Sequence, residues 1–482
     1  MLPPILFLAL LLGCNQEPVV DPEPPVTPDG PVATVYTTSV AGKRFDESTI
    51  PLGKPEDVHF YKVERSGETF QEVDGFGLAI TQASCWNLLL MPEADRTAFL
   101  TELFSRENGL GSSLIRVCIG GSDFSLDEFT WCDEPGMENF AVHPLDQEWL
   151  FPVLDQIFKI NPAVKIIASP WSCPRWMKMS ESGGSYDAWT GGRLDPAHYQ
   201  DYADYFVRWI QEMEKRGYPI YAVTLQNEPL NRGNSMSLYM PWEDQRDFIK
   251  QAVGPAFRAA GIKTKILLFD HNYNYDDIAS QRDYPLHILE DSDAAQYVAG
   301  SAWHNYGGKV STLDKIHSSY PDKEIFFTEA SIGTWNYSFD GCLINDFRDI
   351  FLGTLGRFGR GVTLWNLMLD DERKPFRPGG CSTCFGAVTL STSDHKTLTR
   401  NSHYYNVAHC SKVLAPGAVR QGTKGYETAG LTYQWYRNPD GSQALLLLNE
   451  GSTDALVNFV TDKHSLACKV PAKAIQSIRW EE

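Results

Sequence analysis

From about residue 73 the chain alternates short, nearly unbroken apolar runs with longer stretches whose apolar residues recur every three or four positions. The first pattern marks strands buried on both faces, the second amphipathic helices. Eight runs predict strands, at 73–81, 114–120, 165–171, 221–228, 265–271, 300–306, 324–331 and 361–369. Helical periodicity fills the gaps between them, at 92–105, 202–216 and 242–260 among others. Pro92 suits a first helical turn, where its missing N–H has no partner to lose. Eight strand–helix units in about 300 residues predict an α/β fold, a (β/α)8 TIM barrel over 71–405. No Gly-x-Gly-x-x-Gly follows the first run, so the signature of a dinucleotide-binding sheet is missing.

The pattern changes on both sides of the barrel. Over 406–482 short alternating segments (430–436, 443–449 and 455–460) are separated by Asn-Pro-Asp-Gly and Glu-Gly-Ser turns, which predicts a small antiparallel β domain. Residues 33–70 also have strand character and are expected to complete the same side β-sandwich, joining both chain ends in one domain.

The first residues follow another logic. Ile5 to Leu12 is an unbroken apolar run, too short to span a bilayer, and Gly13-Cys14 follows it. It has the form of an export signal over 1–14, although no Lys or Arg precedes it. Leu-Leu-Gly-Cys resembles a bacterial lipoprotein cleavage site, with Cys14 as the lipidated residue. Residues 15–32 are Pro-rich with scattered acids, a composition that forms a semi-rigid tether rather than a core. Signal, cysteine and tether in this order predict an exported protein anchored at the outer membrane or cell surface. Of the ten cysteines, Cys381 and Cys384 have CxxC spacing without a second Cys/His pair for zinc. A local disulfide or two free thiols both fit. Cys85, Cys118 and Cys173 lie in or beside apolar runs and are expected to be buried thiols.

Composition narrows the partners. A net charge of −19 opposes nucleic acid and anionic membrane surfaces, and a neutral ligand tolerates it. With 13 Trp and 21 Tyr among 482 residues there are many rings on which sugars could stack, although a core of this size consumes most of them.

The candidate chemistry sits where the apolar runs stop. The fourth run ends at Glu228, inside Asn-Glu-Pro, and the seventh reaches Glu329. In a barrel all strand C-termini open on one face, so these two carboxylates can meet across one cleft. Glycoside hydrolysis needs such a pair, one to protonate the leaving oxygen and one to attack the anomeric carbon. Asn227 could bond a sugar 2-hydroxyl, Arg116 could hold the nucleophile ionised, and Asp123 could bind hydroxyls or cap a turn. Trp171, Trp303 and Trp365 lie at or near run ends as candidate sugar platforms, and His304 and Tyr306 point to one side of the sixth run. His304 and Asp270-His271 are metal-ligand residue types without a supporting cluster, so neither cofactor nor catalytic metal is expected.

These segments resemble glycoside hydrolase family 30, which contains glucosylceramidases and β-1,6-glucanases. The resemblance runs from about residue 70 to the C-terminus. It is carried by Gly-Phe-Gly-Leu-Ala-Ile-Thr at 75–81, Ile-Arg-Val-Cys-Ile-Gly-Gly-Ser-Asp-Phe-Ser at 115–125 and Ala-Ser-Pro-Trp-Ser-Cys-Pro-Arg-Trp-Met-Lys at 168–178. Val-Thr-Leu-Gln-Asn-Glu-Pro at 223–229, Trp-His-Asn-Tyr at 303–306, Phe-Thr-Glu-Ala-Ser at 327–331 and Leu-Trp-Asn-Leu at 364–367 add to it. The resemblance implies a barrel with a side β-sandwich and retaining hydrolysis, with Glu228 as acid/base and Glu329 as nucleophile. It further implies that Arg116, Asp123, Trp171, Asn227, His304, Tyr306 and Trp365 line the subsite of the attacked sugar. Leu-Gln-Asn-Glu-Pro in place of Ala-Glu-Asn-Glu-Pro, together with the loop wording after Glu228, Asp270 and Arg377, is closer to the bacterial β-1,6-glucanase branch. The implied substrate is therefore a β-1,6-glucan. A glucosylceramide or xylan on the same frame is the alternative, and a non-catalytic glycan-binding lipoprotein a third.

Overall fold

The computed structural model describes residues 30–58, 61–274 and 278–482. Cys14 and the export signal lie outside the described residues. The barrel strands are β1 (Gly75–Leu78), β2 (Leu114–Cys118), β3 (Lys165–Ser169), β4 (Ile220–Thr224), β5 (Lys265–Asn272), β6 (Val298–His304), β7 (Glu324–Glu329) and β8 (Gly359–Leu364). All pair in parallel in the order β1-β8-β7-β6-β5-β4-β3-β2. The ring closes between β1 and β2 through the Ala79–Arg116 bridge and the Ile80 N–H bond to the Arg116 carbonyl at 2.8 Å. Gly77 permits this closure, because a Cβ there would lie 1.8 Å from the Leu114 carbonyl oxygen.

The barrel interior is layered. Leu114, Ile167, Ala222, Leu267, Ala302 and Phe326 form one buried apolar cluster inside it. Side chains alternate along a strand, so the next inward position lies two residues further on. Those positions hold Arg116, Ser169, Thr224, His304 and Thr328, a polar layer above an apolar one. Strand β5 breaks the count. Phe269 and Asp270 adopt φ of 73° and 63°, and the register against β6 shifts between Phe269 and His271. This bulge turns Asp270 inward where Phe269 would have pointed.

Helices surround the ring. The expected helix at 202–216 is Tyr199–Lys215, and the one at 92–105 is Glu93–Phe104 with Pro92 just before the first turn. The segments Trp242–Phe248, Ile249–Val253 and Gly254–Ala260 continue as one helix with a single π-turn.

The side domain is a nine-stranded sheet in which Val32–Ser39 pairs with the last strand, Ala474–Trp480. Lys62–Val73 pairs with both Ala418–Gly425 and Ala455–Val460 before leading straight into β1. The sheet curls until Gly53 and Ser465 exchange backbone hydrogen bonds, which folds it over a core containing Val35, Trp435, Leu447, Phe459 and Ile478. Its other face joins the barrel core through Tyr36, Tyr436, Leu446 and Ile475. The helix Ser402–Val413 packs between the two bodies and runs across position 406.

Candidate active site

Glu228 and Glu329 meet at the C-terminal mouth of the barrel. Strand β4 stops at Thr224, four residues before the run predicted from sequence. Glu228 is therefore carried by the turn beyond the strand, with φ of 45°, and its N–H is anchored on the Asp270 carbonyl at 3.0 Å. Glu329 closes β7 itself. Carboxylate oxygens of the two glutamates and His304 Nδ1 all lie within 4.8 Å of one another. The carboxylates line a cavity of about 380 Å³ together with Asp123, Asn231, Tyr306, Ser331, Trp335 and Trp365. A larger recess of about 460 Å³ opens beside β5 near Arg282, Asp283 and Lys315, but no facing carboxylates line it.

Each glutamate has its own donors. Glu329 accepts from Arg116 Nη1 at 2.7 Å and from the Tyr306 hydroxyl at 3.1 Å. Glu228 accepts from Asn231 Nδ2 at 2.8 Å and faces His304 Nδ1 at 3.5 Å, an ion-pair contact longer than a well-formed hydrogen bond. The remaining Arg116 nitrogens bond Asn227 Oδ1 at 2.7 Å, Asp270 Oδ2 at 2.8 Å and Ser169 Oγ at 3.3 Å. The guanidinium also sits over the stacked rings of Trp171 and Trp365, 5.0 and 5.6 Å from their centroids. Arg116 is fully buried and stays charged because Asp270 and Glu329 outweigh its desolvation.

Charge distributes unevenly here. Burial pulls His304 down, yet the Glu329 charge, the Asp270 hydrogen bond and Glu228 lift it to a pKa of about 9. Burial raises Glu228, but the His304 contact, His271 and Asn231 bring it to about 2. Burial and the Glu228 charge push Glu329 above its ordinary value, against the pull of His304 and Arg116. A proton donor is expected to have the higher pKa of such a pair. Here His304, lifted by its acidic neighbours, faces the lowered Glu228 across 3.5 Å. Asp123, buried beside both glutamates, is pushed well above the carboxylate range by burial and their charges. Glu228, His304 and Glu329 have the spacing of metal ligands, and Glu329 already accepts from Arg116 and Tyr306.

Arg116, Asp123, Asn227, Glu228, His304, Tyr306, Glu329 and Trp365 thus converge. Trp171 lies behind Trp365 as backing for Arg116 rather than on the cavity wall. Trp303 is not in the cleft. Its ring packs outside the strands against Phe269 and Tyr273, with Nε1 bonded to Ser301 Oγ at 2.8 Å. Cys381 and Cys384 form a disulfide on the cavity wall, while Cys85, Cys118 and Cys173 are buried thiols. Three site residues lack their role in the sequence reading: Asp270, named there only as a metal-ligand type, and Asn231 and Trp335, not named at all. The inward parity of the polar layer points to the first only once the β5 bulge is known. The other two sit on loops without periodicity.

Residues 73–414 match the family model of the glycosyl hydrolase family 30 TIM-barrel domain, and residues 417–478 that of the family 30 β-sandwich domain. The chain belongs to glycoside hydrolase family 30. Its fold superimposes on the solved endo-β-1,6-glucanase BT3312 with a TM-score of 0.91 and 49% identity, covering 94% of this chain and 99% of that one. It is 32% identical over 418 residues to the endo-1,6-β-D-glucanase BGN16.3 of Trichoderma harzianum, covering 81% of this chain and 80% of the relative. It is 29% identical over 431 residues to mouse lysosomal acid glucosylceramidase, covering 85% and 81%. Family 30 members are O-glycosyl hydrolases that retain anomeric configuration, and this family 30 chain is one.

Proposed function

We propose that this family 30 enzyme is an endo-β-1,6-glucanase in which Glu329 is the nucleophile and Glu228 the acid/base. The observation that carries the mechanism is the approach of the two carboxylates to within 4.8 Å, oxygen to oxygen. Retaining enzymes separate their carboxyl groups by about 5–5.5 Å, whereas inverting ones need about 6.5–9.5 Å to admit a water. The linkage rests on the 49% identity to a β-1,6-glucanase over nearly the whole chain.

In the first step a Glu329 oxygen bonds the anomeric carbon as the glycosidic C–O bond breaks. Glu228 protonates the departing oxygen, drawing its proton from His304 Nδ1. The Glu329 charge is a main cause of His304 holding that proton. Attack consumes this charge in the new bond, so the proton is released as the leaving group needs it. In the second step the Glu228–His304 pair takes a proton from water, the hydroxide bonds the anomeric carbon, and the bond to Glu329 breaks. Asn227 gives its oxygen to Arg116, so its amide NH2 is the group suited to donate to a sugar 2-hydroxyl.

The test is a panel of linear β-1,6-, β-1,3- and β-1,4-glucans, xylan and a glucosyl lipid. Release of gentio-oligosaccharides from the β-1,6-glucan is expected. Cleavage of the glucosyl lipid or xylan with β-1,6-glucan untouched would assign the alternative specificity. The proposal also covers location: the leader pattern supports an exported protein held by a lipid on Cys14. Cys14→Ala should then move the protein from the membrane to the soluble fraction.

A further inference from the structure

One buried carboxylate at the barrel mouth has no part in the two-glutamate chemistry. Asp270 is wholly buried and receives five side-chain donors from five strands. Its Oδ2 accepts from Arg116 (2.8 Å), Ser169 (2.8 Å) and Thr224 (2.6 Å), and its Oδ1 from Thr328 (2.7 Å) and His304 Nε2 (3.1 Å). Two of these donors are the partners of the two glutamates: Arg116 holds Glu329, and His304 faces Glu228. The Asp270 carbonyl also accepts the Glu228 N–H. Asp270 itself stands in the left-handed region on the β5 bulge, a conformation that side chains adopt only where the surroundings enforce it.

We propose that Asp270 is a positioning residue that couples the two glutamates, fixing Arg116 against the nucleophile with one oxygen and the His304 ring against the acid/base with the other. It does not reach the cavity and touches no substrate. Its effect is transmitted through the two side chains it holds. This inference rests on the assignment of Glu329 and Glu228 in the proposed mechanism, and it goes beyond it by naming what sets their protonation and aim.

Burial alone would strip the proton from His304. Glu329, Glu228 and Asp270 oppose that, while His271 (the residue after Asp270), Arg116, Tyr306 and Asp123 are the other titratable or cationic groups around the network. Ser169, Thr224 and Thr328 face Asp270 without charge. Deleting the Asp270 charge therefore lowers the pKa of the His304–Glu228 unit. The sign is fixed: activity that needs this proton then fails at a lower pH.

Asp270→Asn keeps the shape but turns an amide NH2 toward donors on one side. With an alkyl β-glucoside, whose alkoxide cannot leave unprotonated, kcat is expected to fall about 10²-fold with KM nearly unchanged. The alkaline limb of the pH profile should move down by about one unit or more. A kcat within about twofold of wild type, or an unmoved alkaline limb, overturns the proposal. A variant that merely folds poorly loses active protein without moving that limb. Should Asp270→Asn not fold, the wild-type protein decides by nitrogen-detected histidine NMR. His304 must keep both ring protons through neutral pH, and a neutral His304 there overturns the proposal. The NMR arm needs no substrate, so failure of the β-1,6-glucan assay leaves this inference separately testable.

Discussion

The barrel carries a charged cluster at each end, and the two differ in how completely their charges are spoken for. At the N-terminal ends of the strands, Asp74 is paired with both Lys165 and Arg360, and Lys265 reaches Glu324 at 2.7 Å. The Tyr221 ring lies between Lys165 and Lys265, 4.7 and 4.4 Å away, and its hydroxyl accepts from Lys265 at 2.6 Å. These cations keep 20–30% of their side-chain surface in water. At the mouth, Arg116, Asp270 and His304 have none, and the charges they organise, Glu228 and Glu329, end at a cavity. One cluster is closed upon itself, while the other points part of its bonding capacity outward. Paired charge near water tightens a fold, whereas buried charge aimed at a cavity costs stability and makes chemistry possible.

The largest effect expected is at the mouth. Glu329→Gln should lower turnover at least about 10⁴-fold, as removal of a covalent nucleophile does, with no loss of melting temperature. Substantial residual turnover would mean that another group attacks. At the opposite end the signs reverse. Asp74→Ala should destabilise by about 1.5–2 kcal/mol, because Lys165 and Arg360 lose a buried charged hydrogen-bond partner, while kcat is retained. Burial raises the Asp74 carboxyl but Arg360 and Lys165 outweigh it and hold it below its ordinary value. The gap in denaturation midpoint between wild type and variant should thus be full above about pH 4 and shrink as pH falls through the lowered value. A drop in kcat from this substitution would erase the distinction between the two ends. The smallest effect belongs to the rim. Trp335, 51% exposed, lines the cavity, and its ring covers Gly333 where that residue pairs with Cys384. Trp335→Ala should raise KM for the β-1,6-glucan polymer by about three- to tenfold and leave hydrolysis of an aryl glucoside unchanged, since stacking on one ring contributes about 1 kcal/mol.

Much of this arrangement is legible in the chain because parallel strands covered on both faces leave unbroken apolar runs. All eight appear as such, and the residues two positions past the inner apolar layer supply Arg116 and His304. Strand ends are less legible. The run over 221–228 stays apolar through Leu225, yet pairing stops at Thr224 because the following residues turn to present Glu228. The same alternation that sends His304 inward sends Trp303 outward, so grouping Trp303 with the rim tryptophans overlooked its parity. The inward role of Asp270 was hidden for a different reason. A bulge adds one residue to the count, and its positive φ at Phe269 leaves no mark in hydrophobic periodicity. Asn231 and Trp335 sit on loops, where position is set by tertiary contacts alone.

The side sheet has a bearing on the order in which the molecule can be made. Val32–Ser39 finds one neighbour at once in the adjacent hairpin strand Arg44–Pro51, but its other neighbour is Ala474–Trp480, the last strand of the chain. Until Ala474–Trp480 is synthesised, that inner edge carries unpaired backbone groups, open to any other extended segment. The barrel between them can collapse earlier, since its strands pair mostly with sequence neighbours. Removal of the segment from Ala474 onward would therefore keep every catalytic group while leaving Val32–Ser39 with a neighbour on one side only.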